Sequence, residues 1–147
     1  MSLLPLLRER LGQLWPQRPD RPNTLSRQDV ARLLGCPDVL LVDVREPAEY
    51  AANRIPGARS VPFRSCPEAW TLDPDVFQAK FGFAKPQASQ ALVLYCKSGA
   101  RASAAAEQAL LAGYSDVSTY PGSMDDWLAH EDQDTPAAAL DASQSQR

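Results

Sequence analysis

The chain has 147 residues, 44% hydrophobic and 22% charged, with 15 basic against 18 acidic side chains and a formal charge of −3. Such a composition is that of an ordinary soluble globular protein, and a chain of about this length folds as one domain whose core needs no metal or disulfide staple. The acidic balance excludes a nucleic-acid-binding surface, which needs basic residues to neutralise phosphates, and the longest apolar runs, Val39 to Val42 and Ala91 to Cys96, fall far short of the ~20 residues of a membrane span.

Cys36, Cys66 and Cys96 form an odd set without a C-x-x-C pair, and His130 is the single histidine. This argues against a disulfide framework and against a tetrahedral zinc site, and for a reducing, intracellular setting. No metal or cofactor is expected.

The first 22 residues place Leu7, Leu11 and Leu14 at helical spacing among Arg8, Arg10, Arg18 and Arg21, the pattern of an N-terminal extension or a targeting segment, although Glu9 and Pro5 weigh against targeting. A domain is expected over 23–131 and a disordered tail over 132–147, where Asp, Gln, Ser and Ala dominate. Ser26 with Asp29 three residues later reads as a capping box opening a short helix that ends before Gly35. Val39 to Val44 is a continuous aliphatic run of strand length, which suggests burial on both faces as in a parallel sheet. Pro47 opens a helix to about Ala52, and Ala58 to Val61 forms a short strand. Pro74 to Phe81 follows as a helix ended by Gly82, then Ala91 to Tyr95 as a buried strand. Arg101 to Ala112, rich in strong helix formers, stops at Gly113; Val117 to Tyr120 is a strand and Met124 to Ala129 a final helix. Strands alternating with helices predict an α/β domain around a central parallel sheet.

In open α/β sheets ligands gather beyond the carboxyl ends of the strands. The polar residues to inspect are therefore Asp43 to Arg45, Phe63 to Cys66 and Cys96 to Arg101. Cys36 precedes its strand and falls at the opposite edge, where it is expected to be a small buried apolar side chain. The segment Cys96-Lys97-Ser98-Gly99-Ala100-Arg101 joins a buried strand to an alanine-rich helix. Backbone N–H groups turning into a helix N-terminus, with the charges of Lys97 and Arg101, favour thiolate over thiol and can bring a cysteine pKa from ~8.5 to between roughly 3.5 and 7.5. Gly99 suits the sharp loop because it accepts positive φ. Trp70 and Trp127 are expected to supply core or pocket wall, and His130 to sit near the end of the last helix without a catalytic role.

Here the sequence resembles the rhodanese (sulfurtransferase) family, whose active-site loop of six residues starts at the nucleophilic cysteine. CKSGAR is similar to that loop, and DVREPAEY at Asp43 to Tyr50, IPGA at Ile55 to Ala58 and YPGSMDDW at Tyr120 to Trp127 stand in the family's order. The intervening segment Ala69 to Pro86 resembles small single-domain thiosulfate:glutathione sulfurtransferases. One departure is Asn53-Arg54 where members carry Gly-His or Gly-Arg; Asn enters the left-handed region readily, so Asn53 is expected to end its helix as glycine would.

The resemblance implies a central parallel sheet of about five strands with helices on both faces. It also implies a ping-pong transfer in which Cys96 attacks the sulfane sulfur of thiosulfate, or of another such donor, and passes it from a persulfide to glutathione, a protein thiol or cyanide. Lys97 and Arg101 would hold the sulfonate, and the loop amides of Ser98, Gly99 and Ala100 the anionic sulfur. The Ser98 hydroxyl either bonds the sulfur or caps the helix. Asp43 and Arg45 are expected to be architectural, an ion pair tying the first strand's end to the loop. The implied protein is a monomer, cytoplasmic or mitochondrial. Two rivals remain: a noncatalytic rhodanese-like binding module, and a cysteine phosphatase. The second places five residues between cysteine and arginine, whereas four stand here. Cys66 follows a strand at the same edge and could capture an oxidised Cys96 as a disulfide.

Overall fold

The computed structural model describes residues 21–131. The expected tail over 132–147, and all but the last two residues of the expected N-terminal extension, lie outside them. In chain order the elements are β1 (Asn23–Thr24), α1 (Arg27–Leu33), β2 (Val39–Asp43), α2 (Pro47–Ala52), β3 (Arg59–Ser60), a 3-10 turn (Ala69–Thr71), α3 (Pro74–Phe81), β4 (Ala91–Tyr95), α4 (Ala100–Leu111), β5 (Val117–Thr119) and α5 (Ser123–Ala129). The five strands form one sheet in the order β1-β5-β4-β2-β3, every pair parallel. Its two edge strands have two residues each, which leaves little exposed ladder for another chain to pair with.

The sheet splits the core in two because successive residues of a strand face opposite ways. Leu92, Leu94 and Cys96 join Val42 and Val44 on one side, beneath α3 and α4. Ala91, Val93 and Tyr95 face the other way, against Val30 and Leu33 of α1 and Met124 and Trp127 of α5. β4 is buried along its whole length, which is why its sequence runs without polar interruption. α4 lays Ala102, Ala105, Ala106 and Ala109 on the sheet; small side chains at this spacing let the helix come close. Phe77 is wholly buried among Trp70, Phe81 and Phe83, at centroid distances of 5.9, 4.7 and 5.2 Å, each such pair adding about 0.5–1.5 kcal/mol beyond area burial.

The local signals act as the sequence indicates. Ser26 and Asp29 form a reciprocal capping box at the start of α1, and Gly82 ends α3 with φ +81°. Asn53 differs. It closes α2 in extended conformation, φ −165° and ψ 159°, because its carbonyl and side-chain oxygens are both engaged by the Arg45 guanidinium, at 2.6 and 3.1 Å. Cys36 also differs: it is half-buried and, with Val30, Leu33, Val39 and Leu41, lines an apolar cavity of about 230 Å3. Among the described residues no helix is long and apolar enough to cross a membrane.

Candidate active site

β4 ends at Tyr95, and the chain turns through Cys96 to Gly99 into the first turn of α4. The turn needs Gly99, whose φ is +109° and whose missing Cβ would stand 2.8 Å from the Pro121 carbonyl oxygen. With the backbone so placed, the Gly99 N–H donates to Cys96 Sγ at 3.0 Å and the Ala102 N–H at 3.4 Å, while the Ser98 N–H adds to the same field. The side chain is buried, 1% exposed. Burial pushes the thiol pKa up, but the N–H donors of Ala102, Gly99 and Ser98, with the Ser123 hydroxyl, outweigh it and hold Cys96 below its ordinary value.

The rim carries charge. Arg101 is mostly buried and directs a two-pronged contact at the Glu49 carboxylate, Nη1 to Oε1 at 2.8 Å and Nη2 to Oε2 at 3.2 Å. Lys97 is exposed and lies 3.3 Å from Asp125. The Ser98 and Ala100 side chains are exposed, and the residue that opens α4, Gly99, has no side-chain cap. Arg64 is exposed as well. Beside the loop, a cleft of about 240 Å3 runs between α2 and α5, lined by Arg45, Glu49, Asn53, Lys97, Met124 and Leu128.

Asp43 and Arg45 form a buried pair, Nε and Nη2 of the arginine meeting Oδ1 and Oδ2 at 3.0 and 2.8 Å. Among the described residues no hydrogen bond or ion pair joins it to a loop side chain. Arg45 instead spends its remaining donors on Asn53, tying the end of β2 to the end of α2. From there the connection to the loop runs through Glu49, which accepts from Arg101 and also from the Glu46 N–H at 3.2 Å.

Two participants escape sequence reasoning. Glu49 lies 52 residues from Arg101, and the DVREPAEY segment that contains it gives no hint of that partner. Ser123 is wholly buried; its Oγ accepts the Cys96 N–H at 3.1 Å and donates to the Tyr120 carbonyl at 2.9 Å. Its one sequence signal is its place in YPGSMDDW. Cys66 is buried, with its thiol donating to Glu68 Oε1 at 3.3 Å. His130 is partly buried at the end of α5, 3.3 Å from Asp126. Among the described residues no group of three or more His, Cys, Asp or Glu could hold a metal ion.

A strand, a loop of amides around one cysteine and a helix N-terminus, repeated at this point of a five-stranded parallel sheet, define a class of protein. The family model for the rhodanese-like domain matches residues 26–130, and the chain belongs to that family. It is 47% identical over 107 residues to a thiosulfate:glutathione sulfurtransferase of Saccharomyces cerevisiae, covering 71% of this chain and 77% of that protein. It is 42% identical over 90 residues to the mitochondrial thiosulfate sulfurtransferase RDL2 of the same yeast, covering 61% of this chain and 60% of the relative. A human single-domain sulfurtransferase of known structure superposes with a TM-score of 0.67 at 34% identity, covering 72% of this chain and 95% of that one.

Proposed function

We propose that the protein is a thiosulfate sulfurtransferase in which Cys96 carries the sulfur. The observation that carries this reading is the convergence of backbone N–H groups on Cys96 Sγ, which favours both the attacking thiolate and the anionic persulfide that replaces it. The relatives named above support the donor. In the first half-reaction the Cys96 thiolate attacks the outer sulfur of thiosulfate; the S–S bond of the donor breaks and sulfite departs with its electron pair. In the second, an acceptor thiolate attacks the outer sulfur of the Cys96 persulfide, and the Cys96 thiolate is the leaving group. Atoms and charge balance without a cofactor.

Arg101 and Lys97, at the rim, are suited to hold the sulfonate end of the donor, the former by a planar fork already oriented by Glu49. Asp43 and Arg45 support the loop from below, through Asn53 and α2. Glutathione is the acceptor favoured by likeness to the yeast enzyme, and the cleft between α2 and α5 gives a small thiol room to approach beside Lys97. A monomer would suffice, since every group invoked is on one chain; the compartment favoured by one relative is the mitochondrion.

Intact mass after incubation with thiosulfate tests the reading. A gain of about 32 Da, one sulfur atom held as a covalent intermediate, with stoichiometric sulfite release, is expected in the wild type, removed by glutathione or cyanide and absent from Cys96→Ala. No gain in the wild type would leave the noncatalytic binding module in possession. Hydrolysis of p-nitrophenyl phosphate without sulfite release would favour the phosphatase.

A further inference from the structure

Cys96 lies one residue beyond the end of β4, where the sheet no longer supplies partners for its peptide. Tyr95 C=O still accepts from Val44 and Leu94 C=O from Tyr120, each at 2.9 Å. The Cys96 N–H has no such strand partner and is taken by Ser123 Oγ; a buried N–H without an acceptor would be costly. The next two carbonyls are held from the same place. Met124 N–H donates to the Cys96 carbonyl at 2.9 Å and Asp125 N–H to the Lys97 carbonyl at 3.0 Å. The first turn of α5 thus grips the peptide groups on both sides of the nucleophile's Cα.

Ser123 occupies its place at a cost. Its φ is +58°, and among the described residues it is the only non-glycine with positive φ. Glycine would take that conformation without the Cβ conflict, so a serine there needs a reason in its side chain. That reason is the reach of its hydroxyl: besides its two hydrogen bonds, Oγ stands 3.9 Å from Cys96 Sγ. The hydroxyl has one proton and two acceptors, the Tyr120 carbonyl at 2.9 Å and Sγ at 3.9 Å, and a rotation about the Cβ–Oγ bond passes it between them.

We propose that Ser123 is a positioning residue for sulfur transfer: its hydroxyl fixes the Cys96 peptide and, when the sulfur is anionic, swings its proton from the Tyr120 carbonyl to Sγ. The inference deepens the sulfurtransferase reading and rests on it for the word transfer, but the thiolate half of it is measurable in any case. The hydroxyl is neutral and stays so, and no bond to hydrogen is broken. The charged groups around the sulfur are Arg101 on α4, already paired with Glu49 of α2, and Lys97 in the loop, already paired with Asp125 of α5. Neither is touched by changing Ser123.

Two variants separate the hydroxyl from the backbone. Ser123→Ala removes the hydroxyl and keeps the Cβ at positive φ; Ser123→Gly removes both, relaxing the turn. The rate of Cys96 alkylation by iodoacetamide is followed against pH in each, beside thermal melting and kcat/KM for thiosulfate. The expected result is a midpoint displaced to higher pH in both variants and a fall of about tenfold in kcat/KM, the size of a hydrogen bond to a charged group, in Ser123→Gly even where its melting point equals that of the wild type. An unmoved midpoint in both variants, or activity that follows only the melting point, would overturn the inference. Absence of the thiosulfate mass gain from the wild type would overturn the sulfurtransferase reading instead, while the alkylation midpoints still decide the role of Ser123.

Discussion

The loops that carry Cys66 and Cys96 make a natural pair. Both sulfurs belong to the same hydrophobic cluster and both residues are 1% exposed, and desolvation pushes both in the direction that favours the neutral thiol. What differs is the partner. Cys96 faces N–H groups, which stabilise an anion, and its pKa falls; Cys66 faces the Glu68 carboxylate, which accepts from the thiol and repels a thiolate, and burial and that carboxylate raise its pKa against a smaller opposing effect of Lys80. Burial therefore does not decide whether a cysteine is a nucleophile. The orientation of a few dipoles around it does.

Turning one amide away should therefore make Cys96 resemble Cys66. Gly99→Ala forces a left-handed backbone on a residue with a Cβ and drives that Cβ into the Pro121 carbonyl, so the closest donor to Sγ moves. Steady-state sulfite release should fall about a hundredfold, as expected when a reacting group is displaced by ~1 Å, with unfolding destabilised by about 1–3 kcal/mol. Wild-type kinetics in this variant would break the comparison.

A smaller effect sharpens it. Peptide mapping after brief iodoacetamide treatment at neutral pH should find Cys96 modified about tenfold faster than Cys66 or more, as their opposite shifts demand. Glu68→Gln should narrow the ratio by speeding Cys66 alone. The same low thiolate character counts against Cys66 as a ready partner for an oxidised Cys96.

The smallest effect concerns the charge behind the rim. The hydrogen bonds from Arg101, opposed by burial, hold the Glu49 carboxyl near pH 2, well below its ordinary 4.5. A carboxyl depressed on folding contributes stability that is complete above its unfolded value and fades as pH falls through about 2. Glu49→Gln should therefore lower the unfolding free energy read from urea titration at neutral pH, by no more than about 1 kcal/mol for a pair one-third open to water on the glutamate side. The deficit should shrink as the medium is acidified from 4.5 towards 2.

Much of the frame is legible in the chain because local physics writes it there. The runs at β2 and β4, the Ser26 capping box and the glycines that end helices are short-range signals, and each element lies within a residue or two of its expected place. β1 is not legible: two residues, Asn23 and Thr24, carry no periodicity and become a strand only by pairing with Ser118 and Thr119. Cys96 and Gly99 stand out because loop, charge and glycine coincide within six residues. Ser123 and Glu49 do not, since each gains its role from a partner 27 or 52 positions away. Asn53 shows the limit of propensity: its ease in the left-handed region is real, but a buried guanidinium with unfilled donors is the stronger demand.

The grip of α5 on Cys96 has a consequence for biosynthesis. Cys96 emerges from the ribosome with its helix α4, but Ser123, Met124 and Asp125 follow only some 27 residues later. Until they arrive the peptide groups of Cys96 and Lys97 lack three of their anchors, so the final shape of the loop waits on the far end of the domain.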